Sequence, residues 1–405
     1  MDALHDPMNV ASAAQRHEIT TVLRRECPVS KTATGAWFIA GREGVEAALR
    51  DVWAFTGSFG RQGPDDDVPE ERKLIGSIPE PRHGELRRVM NAVLAPHKVA
   101  ECEPFVRSLC RRLIDDILTE VAARPHDPVD VVAAYAYPVP TTVIAQVLGV
   151  PTSDNDRFGR WTDELLAAMD SDARADRPVH DPTASSAEFM AYLDDQIDRR
   201  IRHLDAGGKP GDDIIFRYLR AEICGERLSP VAIRSQLVML VIAGNETTRN
   251  LIGNVLYRLA SDHDLFEALR RDPRLVPTAI EESLRVDTPV QILARTCVKD
   301  TLVDGTTIPT GDRIVIGIAS ANRDEKIYDG PAAFHLDRPH ARDHVAFGAG
   351  PHVCPGAALA RLEGVVAIES VLERCTTLEL PPDAQFDANP VFWAHGPRTL
   401  RLLIG

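Results

Sequence analysis

Long apolar runs, paired cysteines and an excess of positive charge are all missing from this sequence. No stretch of eighteen apolar residues occurs, and the first thirty residues are polar and mixed in charge. We therefore expect neither a membrane anchor nor a secretory signal. The formal net charge of −14 argues against nucleic-acid binding through a basic surface. A chain of 405 residues, 44 % of them hydrophobic, is long enough for a large core.

The cysteines are scattered along the chain rather than paired. None of the seven stands in a C-x-x-C pair, which argues against a zinc ribbon, a cysteine-ligated iron–sulfur cluster and a disulfide scaffold. A reducing, cytoplasmic compartment fits this usage best. The seven are Cys27, Cys102, Cys110, Cys224, Cys297, Cys354 and Cys375.

The apolar pattern predicts a mainly α-helical chain with a minority of short strands, organised as one domain over residues 1–405. Short strands are predicted at 35–39 and 314–318, and Asp304-Gly305 has the composition of a hairpin turn. Helical periodicity is predicted at 43–49 and dominates 81–270. Breaks within the helical region are expected at Pro96, Pro125 to Pro128, Pro151 and 171–184, and further short strands near Phe392 and Leu400.

Two stretches are predicted to be loops. Residues 53–80 are rich in Gly, Pro and Asp, and residues 171–184 are polar and contain two prolines. The second stretch separates a helical pattern that contains Trp161 from one that contains Phe189. Long loops inside a compact domain are usually functional or mobile, although 171–184 could be a plain connector.

Cys354 stands near the end of the sequence F-G-A-G-P-H-V-C-P-G, which runs from Phe347 to Gly356 and directly precedes a long helical pattern. The positive end of a helix dipole favours the anionic form of sulfur. Gly348 and Gly350 remove side chains where the backbone must approach something large and flat. A thiolate held against a planar partner is what axial ligation of haem iron requires. The alternative is a buried, inert cysteine beside a turn.

A long helix is predicted from Ser229-Pro230 to about Ala260, because a hydroxyl N-cap is followed by proline at the first helical position. Such a helix has about 30 residues and a length of roughly 45 Å. Its middle, residues 237–242, is apolar all round and is therefore expected to be buried.

Polar residues interrupt this buried stretch in the sequence A-G-N-E-T-T at 243–248. A buried acid such as Glu246 costs free energy unless it is paired or used. The Thr247 hydroxyl can donate to the carbonyl of Ala243, four residues back, and Gly244 is expected to leave a notch. A notch with an acid and an alcohol could hold a diatomic ligand and deliver protons to it. The alternative is a helix kink satisfied by local hydrogen bonds.

Both motifs resemble those of the cytochrome P450 family, F-G-x-G-x-H-x-C-x-G and A-G-x-[D/E]-T-T. The resemblance implies the P450 fold, with a long central helix over the haem and small β-sheets. It also implies heme b (iron protoporphyrin IX) as cofactor and Cys354 as the iron ligand, with Phe347 and Gly356 at the cofactor. Glu246 and Thr247 would then form the catalytic proton-delivery pair.

Two further groups of residues match family positions. Glu282 and Arg285 fit the E-x-x-R motif, and Arg338 fits the third member of that structural network; taken alone, the first two would be read as a surface pair. The haem propionates need cationic or hydrogen-bonding partners. The resemblance assigns His83, Arg87, Arg295 and His352 to that task.

The family resemblance also outlines a substrate pocket. It draws on the loop 53–80, with 171–184 as a lid over the substrate channel, and on seven mostly apolar positions. An apolar lining suggests a hydrophobic small molecule such as a terpenoid, a steroid or an aromatic compound, while ordinary core packing is the alternative for each residue. The seven are Met239, Ala243, Val290, Ile292, Leu293, Phe392 and Trp393.

The activity implied by the resemblance is insertion of one oxygen atom from O2 into such a substrate. Because no flavin or iron–sulfur segment is appended, electrons are expected from a separate ferredoxin or flavodoxin with its reductase. Arg88, Lys98 and Arg361 are candidates for docking that partner. The alternatives are a peroxygenase, a non-oxygenating oxidase and a non-catalytic haem-binding protein. A cysteine hydrolase using Cys354 and His352 is disfavoured, because residues two apart in a loop seldom align as nucleophile and base.

Overall fold

A computed structural model describes residues 6–8, 13–57, 68–174, 186–389 and 391–405. Helices predominate in these ranges, and short strands lie between them. The helices are α1 Ala13–Glu26, α2 Arg42–Arg50, α3 Arg82–Leu94, α4 Pro96–Glu101, α5 Glu103–Ala123, α6 Pro138–Leu148, α7 Asn155–Arg174, α8 Ala187–Asp205, α9 Ile214–Arg220, α10 Pro230–Ser261, α11 His263–Arg271, α12 Val276–Val286, α13 Ile318–Ala321 and α14 Ala357–Arg374.

The strands are short, and most of them pair antiparallel. They are β1 Val29–Lys31, β2 Trp37–Ile39, β3 Phe55–Gly57, β4 Val129–Asp130, β5 Glu222–Ile223, β6 Glu226–Arg227, β7 Leu293–Cys297, β8 Thr301–Val303, β9 Thr306–Ile308, β10 Arg313–Ile316, β11 Leu378–Glu379, β12 Asp387–Ala388, β13 Pro397–Thr399 and β14 Arg401–Ile404. Among the described residues, no helix is both long and apolar enough to span a membrane.

The long helix predicted from Ser229-Pro230 is α10, and the prediction is confirmed. It has 32 residues, and the Ser229 side chain accepts a hydrogen bond from the N–H of Ala232. The helix contacts α6, α8, α12 and α14. Its contact with α14 is close, because a Cβ on Gly364 would lie 3.2 Å from a methyl carbon of Leu251. Burial from several sides explains why its middle is apolar all round.

The main sheet has the order β1-β2-β10-β7-β3, with β2 and β10 parallel and the other pairs antiparallel. It confirms the strands predicted near 37 and 314. Apolar residues of the sheet, such as Ile314, pack with Val45 and Leu49 of α2 in one core cluster. The predicted turn at Asp304-Gly305 is also confirmed, since both residues have positive φ and join β8 to β9.

The two predicted loops are only partly loops. Within 53–80, residues 55–57 form β3, which pairs with β7 through tertiary contacts that local composition does not reveal. Single turns of 3₁₀ helix follow at Glu70–Arg72 and Ile75–Ser77; residues 58–67 lie outside the described residues. Within 171–184, the first four residues continue α7 to Arg174, because no Gly or Pro interrupts the sequence there. Residues 175–184 lie outside the described residues.

The strands expected near the carboxyl end also differ in detail. Leu400 lies between β13 and β14, as expected. Near Phe392 the chain forms no strand; it makes an isolated bridge between Val290 and Ala394.

Candidate active site

Cys354 is held in a tight loop that leads into α14. Its N–H donates to the carbonyl of Phe347 at 2.8 Å. Gly348 and Gly350 both have φ of +72°, and a Cβ on Gly350 would lie 2.9 Å from the Cα of Arg50. Only glycine fits there, because the loop packs directly on the end of α2. The loop therefore fixes the sulfur a few residues before the first turn of α14.

The surroundings of the half-buried Cys354 act on its thiol in opposite directions. Burial raises its pKa, whereas the backbone N–H of Gly356 and the charges of Arg87 and Arg361 lower it, and burial prevails. The sequence predicted that the start of α14 favours a thiolate. In the structure, the groups that lower the pKa of the thiol have a smaller effect than the burial that raises it. Coordination to a metal cation would hold the sulfur as thiolate despite its burial.

The predicted propionate ligands His83, Arg87 and His352 meet beside the cysteine loop. The His83 ring of α3 stacks on the His352 ring with centroids 4.0 Å apart. His83 also shares a hydrogen bond with Glu80, Nδ1 to Oε1 at 2.8 Å. Arg87, one turn further along α3, donates to the carbonyl of Val353. Residues far apart in sequence are therefore gathered at one place.

Arg295 reaches the same place from β7. Burial lowers its pKa to about 10, and its Nη1 donates to the carbonyl of Ala294 at 2.8 Å. Burial, followed by the charges of His83, Arg295 and Arg87, lowers the pKa of His352 to about 3, while the charge of Glu80 opposes them. A ligand with two carboxylates, such as haem, would supply the negative charge that this half-buried set needs.

One side of α10 is incompletely covered near its middle, and this uncovered region is called here the hollow. Ala243 is exposed, and Met239 and Thr247 are half-buried, although their neighbours along the helix are largely buried. The Thr247 hydroxyl donates to the carbonyl of Ala243 at 2.9 Å, which confirms the predicted bond. The expected notch at Gly244 is filled: a Cβ there would lie 3.1 Å from the Cδ1 of Ile144 on α6. The small residue that faces the hollow is therefore Ala243.

Glu246 is almost fully buried, and its carboxyl points away from Thr247. Its Oε1 accepts hydrogen bonds from Arg249 at 2.6 Å, from Asn250 at 3.0 Å and from the Nδ2 of Asn389. Burial raises the pKa of Glu246, and these three partners oppose that rise. Adjacent helical side chains project about 100° apart, so the structure does not bring the acid and the alcohol into hydrogen-bond contact.

The predicted network of Glu282, Arg285 and Arg338 is present and buried. Arg285 donates to both carboxylate oxygens of Glu282 at 2.8 Å, and Arg338 donates to Oε1 at 2.7 Å. The side chains of Glu282 and Arg285 are both 0 % exposed, which excludes a surface pair. Arg285 also donates to the carbonyls of Asn322 and Pro331. The network ties α12 to the segment that precedes the cysteine loop.

A second buried network, around Glu281, has no counterpart in the sequence analysis. Glu281 accepts from Arg361 Nε at 2.6 Å and shares a hydrogen bond with His344 Nε2 at 3.1 Å. Burial alone would raise the pKa of Glu281, but these partners lower it to about 2. Arg361 also lies over the Phe347 ring, 4.5 Å from its centroid. Arg361 was predicted only as a docking residue, and the position of Glu281 directly before Glu282 is the signal that could have drawn attention to this network.

Asn389 is the other residue that the sequence analysis missed. It comes from a loop 143 positions away from Glu246, and no motif or spacing marks it. Of the predicted docking residues, Arg361 is turned inward onto Glu281, while the Arg88 side chain is 75 % exposed. Lys98 forms an ion pair with Glu101 at 3.1 Å.

The residues predicted for the substrate pocket lie in different surroundings. Met239 and Ala243 face the hollow, and Val290 and Leu293 are half-buried. Ile292 instead packs in a core cluster with Phe38 and Val315, which favours ordinary core packing at that position. Phe392 and Trp393 are half-buried, and their carbonyls accept from Arg16 Nη2 and the N–H of Gln291, both at 2.8 Å.

Comparison with known proteins adds to this geometry. A family model described as Cytochrome P450 matches residues 33–393. Cytochrome P450 107B1 of Saccharopolyspora erythraea is 32 % identical over 397 residues, which cover 94 % of this chain and 91 % of that relative.

Solved structures are similar over nearly the whole length. P450BioI in complex with hexadec-9Z-enoic acid ligated acyl carrier protein has a TM-score of 0.84 at 27 % identity, covering 96 % of this chain and 98 % of that one. CYP109E1 from Bacillus megaterium in complex with testosterone has a TM-score of 0.79 at 29 % identity, covering 95 % and 98 %.

Proposed function

The chain belongs to the cytochrome P450 family of haem-thiolate monooxygenases, and we propose that its substrate is a hydrophobic small molecule. It has the P450 fold and the heme b cofactor of that family. The proposed reaction inserts one oxygen atom from O2 into the substrate, by hydroxylation or a related oxidation. The observation that carries this proposal is the incompletely covered side of α10, where the apolar Met239 and Ala243 lie in line with Thr247.

In this proposal Cys354 would be the iron ligand, and Phe347 and Gly356 would contact the haem near the sulfur. Arg87 and Arg295 would bind the propionates through charge, and His83 and His352 would bind them through hydrogen bonds. When bound, the haem supplies dioxygen activation, and a thiolate ligand favours O–O cleavage. The support for the propionate assignment is the charge of the set, in which Arg295 is half-buried and donates to a backbone carbonyl.

Proton delivery is assigned to Glu246 and Thr247. Glu246 is assigned the role of the acid, because it is a buried carboxyl one position before Thr247. Burial raises its pKa, and Arg249, Asn250 and Asn389 oppose that rise. The Thr247 hydroxyl faces the hollow and passes the proton on. Since Glu246 does not contact Thr247, transfer needs either a bridging water or a turn of the Glu246 side chain.

The proposed substrate class follows from the residues that the family resemblance assigns to the pocket. Met239, Ala243, Val290 and Leu293 are apolar and incompletely buried, so a nonpolar compound would remove their surface from water. The ligands of the similar structures, testosterone and a hexadecenoic acid, have the same character. Phe392 and Trp393 would contribute to the same pocket.

Electrons are proposed to come from a ferredoxin or flavodoxin with its reductase. An acidic carrier would dock near the cysteine loop, where Arg88 projects 75 % exposed from α3. Lys98, on the next helix, is a second candidate. Arg361 is a weaker one, because Glu281 already neutralises its charge.

The proposal is tested with purified holoenzyme, a ferredoxin and its reductase, and ¹⁸O-labelled dioxygen. Testosterone and hexadec-9Z-enoic acid are first screened for a shift of the ferric spin state. We expect an apolar compound to bind and to gain one ¹⁸O atom. Oxygenation driven by hydrogen peroxide, without label from O2, would instead identify a peroxygenase. Reductant consumption that no compound changes would favour a non-catalytic haem protein.

A further inference from the structure

Residues 391–396, called here the carboxyl-side loop, lie against α10 on the same side as Glu246. A Cβ on Gly396 would lie 2.4 Å from the Oδ1 of Asn250, so only glycine permits this approach. One turn further along α10, Asn254 donates from Nδ2 to the carbonyl of His395 at 3.1 Å. The loop is thus seated on a row of asparagines that begins next to Glu246.

The side chain of Asn389 connects this loop to the buried acid. Its Nδ2 donates to Glu246, while its Oδ1 accepts from the N–H of Val391 at 3.1 Å. Its own N–H donates to the carbonyl of Gly396 at 2.8 Å. Contacts with Val391 and Gly396, at the two ends of the loop, therefore hold Asn389 in position. The side-chain amide of Asn389 in turn holds the Glu246 carboxyl through a hydrogen bond.

The same loop carries Phe392 and Trp393, which are assigned above to the substrate pocket. We propose that Asn389 is a positioning residue that couples the carboxyl-side loop to the proton-delivering acid Glu246. With the loop seated, Asn389 holds the carboxyl away from Thr247. A substrate that displaces the loop withdraws Asn389 and frees the carboxyl to turn toward Thr247. This inference rests on the proton-delivery role given to Glu246 under the proposed function.

The other two donors to Glu246 lie on its own helix, although Gly396 of the loop packs against one of them, Asn250. Arg249 and Asn250 belong to the same helix, and the Arg249 guanidinium lies 5.6 Å from the centroid of the Tyr137 ring. Asp163 of α7 opposes Arg249 electrostatically at the carboxyl. A donor to a carboxylate stabilises its ionised form. Asn389 is therefore the contact through which a movement of the loop would change the protonation of Glu246.

The test is an infrared pH titration of the ferric holoenzyme, with the Glu246 carboxyl band assigned by its loss in E246Q. N389D has the same shape as the native residue but lacks the donor, and N389A is the second variant. Both should raise the pKa of Glu246 above its value in the unmodified protein. N254A is the graded comparison, because it removes one contact of the same loop and leaves Asn389 in place, and it should raise the pKa of Glu246 by less than either Asn389 variant.

Hydrogen–deuterium exchange over 391–396 tests whether a change at Glu246 also loosens the carboxyl-side loop. E246Q and N389A should both exchange faster there, because a charge-assisted hydrogen bond is weakened or lost. Identical titrations of Glu246 in N389D, N389A and N254A, or unchanged exchange in E246Q, would overturn the coupling. Failure of the proposed function looks different: E246Q would then keep the unmodified yield of product per reductant, whatever Asn389 does.

Discussion

The sulfur side of the site and its helix side are held in different ways. The sulfur side comprises the cysteine loop 347–356 and the buried networks around Glu281 and Glu282. The helix side comprises residues 243–254 of α10 and the carboxyl-side loop. On the sulfur side Glu281 accepts two hydrogen bonds from Arg361, and Glu282 accepts three from Arg285 and Arg338. On the helix side, four buried polar atoms have no hydrogen-bond partner among the described residues: Asn245 Nδ2, Arg249 Nε, Asn250 Oδ1 and Asn254 Oδ1.

This difference in hydrogen bonding fits the role proposed for each side. An iron ligand should keep one position, and fully paired buried charges stabilise a single arrangement. Proton delivery needs groups that change partners, and incompletely paired amides leave room for water or for a rotated side chain. The largest effects of mutation on stability are therefore expected on the sulfur side, and the largest effects on coupling are expected on the helix side.

Removal of Arg285 gives the largest expected effect. Arg285→Leu leaves Glu282 fully buried with one of its two arginines missing, and breaking a buried ion pair costs about 3–5 kcal/mol. Urea unfolding and haem content should both show the loss. Arg342→Ala is the control, since Arg342 is 74 % exposed and 3.8 Å from Glu281, and it should change stability by less than about 1 kcal/mol. Equal losses in the two variants would contradict the contrast between the sides.

Thr247→Ala should affect chemistry far more than stability. Without the hydroxyl that faces the hollow, product per reductant should fall about 10-fold or more, with hydrogen peroxide released instead. Thr248→Val is the matched control, because Thr248 is buried and has no assigned role. Reductant, peroxide and product are measured together. Unchanged coupling in Thr247→Ala would remove this residue from proton delivery.

The sulfur side should also give the fold its acid sensitivity. The pKa of Glu281 is lowered from 4.5 to about 2 in the folded protein. Its ionised form therefore stabilises the fold above about pH 4.5, and this contribution, of order 2–3 kcal/mol, is lost as the pH falls toward 2. The free energy of unfolding measured between pH 7 and pH 3 should fall less steeply in Glu281→Gln. If the free energy of unfolding fell equally steeply with pH in both proteins, Glu281 would not contribute to the acid sensitivity of the fold.

The smallest effect is expected for Asn245, on the helix side. Its Oδ1 accepts from the Thr141 hydroxyl at 2.9 Å, and its Nδ2 has no partner among the described residues. Asn245→Ala should cost about 1 kcal/mol, the usual net value of one hydrogen bond. Thermal unfolding measures this cost. A loss as large as that of Arg285→Leu would show that the helix side is as tightly held as the sulfur side.

Sequence reasoning succeeded where a structure depends on neighbouring residues. The cap at Ser229, the hairpin turn at Asp304-Gly305 and the bond from Thr247 to Ala243 are all local. The E-x-x-R network was identified only through the family resemblance, because Glu282 and Arg285 taken alone would be read as a surface pair.

What the sequence could not reveal depends on contacts between distant segments. Asn389 reaches Glu246, and Glu281 reaches Arg361, across chain separations that no periodicity records. The same holds for Gly244, whose expected notch is occupied by Ile144. Ile292 was assigned to the pocket from its family position, which does not show that its side chain packs with Phe38 and Val315 in a core cluster.

The most direct test of the whole account is the ferrous–carbon monoxide spectrum of the purified, haem-loaded protein. With Cys354 as thiolate ligand, the Soret band should be strongly shifted to the red. Cys354→His is the control and should bind haem without that shift. An unshifted band in the folded, unmodified protein would contradict thiolate ligation by Cys354, and with it the assignment of the sulfur side.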